Sequence, residues 1–125
     1  MRRVGSIVAG ALLLTAAPAM AWTTVPFTES GLSSVSGCRG VYVIKRNDEP
    51  YYVGRSRDIA VRLKRHLAGS GSRKVAEILG GNATLTVSYE CGDSNEQMEA
   101  RLIAELGTYK VGNLRRETDP ADWDD

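Results

Sequence analysis

The sequence predicts an α+β fold: a small three-stranded antiparallel sheet flanked by helices, in the order β-β-α-α-β-α. Three observations lead there. Two short runs of β-branched and aromatic residues, Val41 to Ile44 and Tyr51 to Gly54, flank the polar break Asn47-Asp48-Glu49-Pro50, the pattern of a hairpin. The next segment, Asp58 to Leu67, sets Ile59, Leu63 and Leu67 at helical spacing. The alternating run TLTVSYE, residues 84–90, reads as a third strand and precedes a further helix-patterned stretch ending near Leu106.

At the N-terminus Arg2 and Arg3 precede an apolar or small stretch, Val4 to Ala17, and Ala19-Met20-Ala21 has the form of an A-x-A cleavage site. The stretch falls short of the roughly 20 apolar residues that span a bilayer. Residues 1–21 are therefore expected to be a secretory signal peptide cleaved after Ala21, giving a secreted or periplasmic protein. An uncleaved N-terminal anchor is the alternative. Residues 22–37, rich in Ser, Thr and Gly, read as an extended lead-in whose Trp22 and Phe27 cover the sheet.

Along the first strand Tyr42 and Ile44 share one face while Val41 and Val43 take the other. Tyr51 is expected opposite to Tyr52, in a structural role. On the first helix Arg62 and His66, at i and i+4, flank the apolar stripe at the border between core and solvent. Gly69-Ser70-Gly71 is a loop, Ser72 caps a short helix to Leu79, and Gly80-Gly81-Asn82 ends it. Ser94 with Gln97 has the form of a capping box for the last helix, which stops at Gly107. Residues 38–114 make up the folded domain and 115–125 an acidic tail.

Charge is nearly balanced, 16 Lys and Arg against 15 Asp and Glu, so overall basicity marks no nucleic-acid partner. Its distribution is uneven. Seven basic side chains and His66 lie between Arg55 and Lys74 with only Asp58 against them; five acidic side chains and no basic one lie between Glu117 and Asp125. Solvated surface accounts for the tail. Glu99 is more telling, because on the wheel of residues 94–106 it falls between Leu106 and Ile103, inside the apolar arc. A carboxylate there costs several kcal/mol unless it is paired, for instance with Arg62 or Arg101, or bound to a metal.

Gly40-Val41-Tyr42, then Tyr52-Val53-Gly54, then Arg62, with His66 four residues later, resembles the signature of the GIY-YIG nucleases, Val standing for Ile in both tripeptides. Glu99 fits the family's acidic metal ligand on a later helix and Asn113 its late asparagine. The resemblance spans roughly residues 38 to 114. It implies a DNA endonuclease with Mg²⁺ as cofactor, Mn²⁺ being the alternative, and Glu99 as the ligand. It implies Tyr42 as general base and Tyr52 as positioner of water or phosphate. Arg62 would clamp the phosphate through its planar fork. His66 would orient a tyrosine, contact the phosphate or protonate the leaving oxygen. Gly54 would bring backbone near the phosphate, Arg55, Lys64 and Arg65 would contact phosphates, and Asn113 would tie the tail to the site, unless it is simply a turn residue.

With no second nucleic-acid-reading pattern in the chain, binding is expected to be mainly electrostatic and weakly sequence-specific, with no protein partner or homodimer indicated. Two readings of another kind stand beside the enzyme: a catalytically silent nucleic-acid-binding module, and a disulfide-bonded envelope protein that reuses the fold.

The chain has two cysteines, Cys38 before the first strand and Cys91 at the end of the third. If those strands pair antiparallel, the two meet, and a bridge suits an oxidising compartment. The alternative is two separate buried thiols.

Overall fold

The computed structural model describes residues 22–93 and 96–113. The expected signal peptide, the Ser94 cap and the acidic tail lie outside the described residues. The hairpin forms as β2 (Gly40–Arg46) and β3 (Glu49–Ser56), joined at Asn47 and Asp48, both at positive φ (53° and 69°). That geometry suits a two-residue hairpin turn, and Asn and Asp tolerate it. Pro50 is in β3 rather than in the turn. It is accommodated there because β3 is an edge strand and pairing is irregular at this point: Ile44 stands opposite Tyr52 and Lys45 opposite Pro50, which leaves Tyr51 as the extra residue of a bulge.

The bulge corrects one expectation. Tyr51 does not face away from Tyr52; both enter the same core layer, and the Tyr51 hydroxyl donates to the Lys74 carbonyl at 2.7 Å.

The sheet is also wider than expected, with four strands in the order β1-β4-β2-β3. β4 (Leu85–Cys91) lies antiparallel to β2, and the lead-in supplies β1 (Thr23–Pro26) on its outer side. Four residues ending in Pro are too few to display an alternating period, which is why the lead-in reads as merely extended. A short helix, α1 (Glu29–Leu32), follows, capped by the Thr28 hydroxyl. Next come α2 (Ile59–Leu67), whose first turn is capped by Asp58, α3 (Arg73–Ile78), capped by Ser72, and α4 (Glu96–Leu106), which ends at left-handed Gly107.

The two faces of the sheet bury different sets. Tyr42, Ile44, Tyr51, Tyr52 and Val87 pack with Phe27, Leu32, Ile59, Leu63, Val75 and Ile78, so α1 to α3 cover one face. Val41, Val43 and Val53 pack with Leu102, Ile103, Met98 and Trp22, so α4 covers the other. Phe27 and Trp22 therefore serve opposite faces. Gly40 pairs with Cys91 in the β2–β4 register, and Cys38 and Cys91 are bridged, their Cα atoms 5.6 Å apart. The Cys38 carbonyl accepts the Ile59 N–H at 2.8 Å, so the bridge also anchors the start of α2.

Candidate active site

The site is built where β2, β3 and α2 meet. Tyr42 stands directly opposite Gly54 in the β2–β3 register, and a Cβ on Gly54 would fall on the Tyr42 hydroxyl. Gly54 is thus required by side-chain packing as well as by any approach of backbone to a ligand. From α2, His66 enters the same space: its Nε2 shares a 2.8 Å hydrogen bond with the Tyr42 hydroxyl. The His66 ring meets both Tyr42 and Tyr52 edge-on, with centroids 5.7 and 5.3 Å away, and the two tyrosine rings lie 6.4 Å apart. Edge-to-face contact of this kind suits the quadrupoles of the rings.

His66 is 0 % exposed, deeper than the border position its helical spacing suggests, and Arg62 beside it is buried too. The reason is the loop after α2, which folds back over the ring: the Ser72 N–H donates to His66 Nδ1 at 3.2 Å, and a Cβ on Gly71 would fall on that nitrogen.

Burial, then the Arg62 cation, push the His66 pKa down to about 3, so the ring is neutral. Burial and then the Tyr52 phenol raise the Tyr42 hydroxyl well above its ordinary value. Arg62 opposes this through its charge and a hydrogen bond, while the negative charge of Glu99 adds to the rise.

Glu99 approaches from the other layer. α4 buries it along with Leu102 and Ile103, as the wheel predicts, and its carboxylate lies 3.5 Å from Arg55 Nε. Arg101, one of the partners named from sequence, instead pairs along its own helix with Glu105 at 4.0 Å. Arg55 follows Val53 by two residues, so strand alternation turns it toward α4.

Asn113 is equally committed. Its Oδ1 accepts the Val53 N–H at 2.8 Å and its Nδ2 donates to the Val53 carbonyl at 3.1 Å, while the Gly112 N–H donates to the Tyr51 carbonyl. The turn thus pairs along the edge of β3 as a further strand would, and Asn113 ties it there. Lys64 and Arg65 are exposed on α2, outside the buried cluster.

Among the described residues no three His, Cys, Asp or Glu side chains gather as a metal cluster. The donor set at Glu99 nonetheless suits Mg²⁺, a hard cation held by one or two carboxylates with water and phosphate oxygens completing the shell. Arg55 already supplies positive charge to that carboxylate.

A buried Tyr–His–Arg cluster lies beside an edge strand on one face of this α+β sheet, and a buried carboxylate, Glu99, lies on the helix that covers the other face. Residues 38–111 match the GIY-YIG catalytic domain, more than half of the chain, and the protein belongs to that family. No curated protein matches. Among solved structures, the GIY-YIG N-terminal endonuclease domain of UvrC from Thermotoga maritima bound to magnesium is similar at 25 % identity and a TM-score of 0.52, covering 66 % of this chain and 93 % of that one. A point mutant of the same domain, bound to its catalytic divalent cation, matches at 25 % identity and a TM-score of 0.52 over 66 % and 92 %.

The sequence points to Tyr42, Tyr52, Arg62, His66 and Glu99 as candidates but not to the Gly71–Ser72 turn that covers His66. A loop that contributes a backbone N–H leaves no side-chain signal.

Proposed function

We propose that this protein is an exported, Mg²⁺-dependent endonuclease that hydrolyses DNA phosphodiester bonds with little sequence specificity. The observation that carries the reading is the convergence of Tyr42, His66 and Arg62 beside Gly54, with Glu99 buried on the helix that covers the opposite face of the sheet, its charge felt at Tyr42. Glu99 would hold the cation. When bound there, Mg²⁺ supplies Lewis acidity at a phosphate oxygen and neutralises charge.

The protein's own groups do the rest. Tyr42 Oη takes the proton of the attacking water, favoured as phenolate by Arg62 and opposed by its burial and by the charge of Glu99. Neutralising Glu99 therefore shifts Tyr42 toward its active form. Tyr52 positions water or phosphate beside it. The Arg62 guanidinium stabilises the charge that develops on the phosphate in the transition state. Arg55, and the exposed Lys64 and Arg65, contact phosphates, which makes binding electrostatic and salt-sensitive. Residues 1–21 support export, and a disulfide suits an oxidising compartment.

A second reading draws on the Arg55–Glu99 pair, which already gives the carboxylate a cationic neighbour: a binding module that holds nucleic acid without cutting it. Plasmid cleavage by the oxidised protein, with Mg²⁺ or with chelator and alongside Glu99→Ala, separates the two. Metal-dependent nicking lost in Glu99→Ala is the expected result. Gel retardation with no cleavage selects the binding module, and neither cleavage nor retardation removes both. Fractionation with N-terminal sequencing tests export, Trp22 being the expected first residue.

A further inference from the structure

The hydrogen bonds around His66 fix where its ring proton sits. A backbone N–H can only donate, so the contact from Ser72 makes Nδ1 an acceptor. A neutral imidazole carries one proton, which is then on Nε2, and Nε2 lies 2.8 Å from the Tyr42 oxygen. His66 therefore donates to Tyr42. The groups facing the ring are Tyr42 from β2, Tyr52 from β3 and Arg62 from its own helix. The Arg62 cation favours the Tyr42 phenolate as well, in the same direction as donation from His66.

We propose that the Gly71–Ser72 turn is a positioning element for the reaction: it locks His66 as a fixed donor to Tyr42, so that the histidine stabilises the phenolate and does not receive its proton. The role in the reaction rests on the nuclease reading above; the locked ring does not. Gly71 is part of the device, because a side chain there would fall on Nδ1 and push the ring or the Ser72 amide away. With Nδ1 held by Ser72 and Nε2 already protonated, the Tyr42 proton is released to solvent when the phenolate forms and not to the histidine. This differs from a Tyr–His relay, in which Nε2 would be the acceptor.

The chain has a single histidine, so a long-range nitrogen–proton correlation spectrum of the full protein reads its tautomer without assignment. The expected spectrum has Nε2 protonated and Nδ1 bare, unchanged between about pH 8 and about pH 5. Cleavage assays accompany it. His66→Gln, whose amide can still donate to Tyr42, is expected to stay within about tenfold of the native rate, while His66→Ala falls by about 100-fold or more, the usual scale for one proton-handling group. Gly71→Ala is expected to disturb the ring signals and lower kcat with little change in KM.

An Nδ1-protonated ring, or one that titrates near pH 6.5 in the folded protein, overturns the proposal. So does a folded His66→Gln as inactive as His66→Ala. A locked ring in a protein that cuts nothing removes the nuclease reading and the catalytic role together, and leaves the hydrogen-bond lock intact.

Discussion

Tyr42 and Gly54 are cross-strand partners, and the hydroxyl of the first occupies the place where a side chain on the second would begin. The two tripeptides that mark the sequence are therefore one packing unit. The first supplies a buried phenol and the second supplies the space it needs.

Gly54→Ala should accordingly act on site and stability at once. The added methyl meets the buried Tyr42 ring, which has nowhere to retreat among Tyr52, His66 and Ile44. Overpacking of this kind costs about 1–3 kcal/mol. Gly80→Ala, at a position with open space around it, should leave the melting temperature unchanged or raise it slightly. Thermal denaturation of the pair checks this, and equal losses in both would contradict it.

The neutral His66 makes stability depend on pH. The folded ring ionises only near 3 and the unfolded ring near 6.5, so between those values the unfolded chain binds the extra proton. Stability therefore rises with pH across that window and is lost as pH falls, by up to about 1.4 kcal/mol per unit. Urea denaturation from about pH 7 to about pH 4 should show a shallower slope for His66→Gln than for the native protein.

Arg55→Gln removes a cation beside the buried Glu99 carboxylate. We expect a loss of about 1–3 kcal/mol without divalent cation, the scale of a hydrogen bond to a charged group. Mg²⁺ should restore more stability to this variant than to the native protein, since one cation that competes for the carboxylate is gone. A thermal-shift titration with Mg²⁺ reads both effects.

Asn113→Ala leaves the Val53 N–H and carbonyl without their side-chain partners at a buried strand edge. Unsatisfied groups of this kind cost about 1–3 kcal/mol each. Faster hydrogen exchange at Val53, with Val43 less affected, is the expected signature. Asn113→Asp should recover only part of it, because it keeps the acceptor but not the donor.

The Cys38–Cys91 bridge closes a loop with a sequence separation of 53, for which chain entropy gives about 4 kcal/mol. Reductant should lower the melting temperature of the native protein and leave Cys38→Ser/Cys91→Ser, already destabilised, where it is.

What the sequence determines by itself is whatever local pattern controls. The hairpin, the capped starts of α2 and α3, the two faces of β2 and the inward placement of Glu99 follow from alternation, helical period and cap chemistry, each acting over a few residues. Motif spacing likewise singles out Tyr42, Tyr52, Arg62 and His66, which the fold brings together. Tertiary structure alone decided what depends on partners distant in the chain. Thr23–Pro26 becomes a strand only because β4 offers an unpaired edge, and Tyr51 joins the face of Tyr52 only because the bulge opposite Ile44 and Lys45 shifts the alternation. Glu99 meets Arg55 because α4 packs on the layer toward which β3 turns that side chain, and His66 is buried because a loop folds over it. Local pattern states which face a side chain takes; only the packed layers state what waits there.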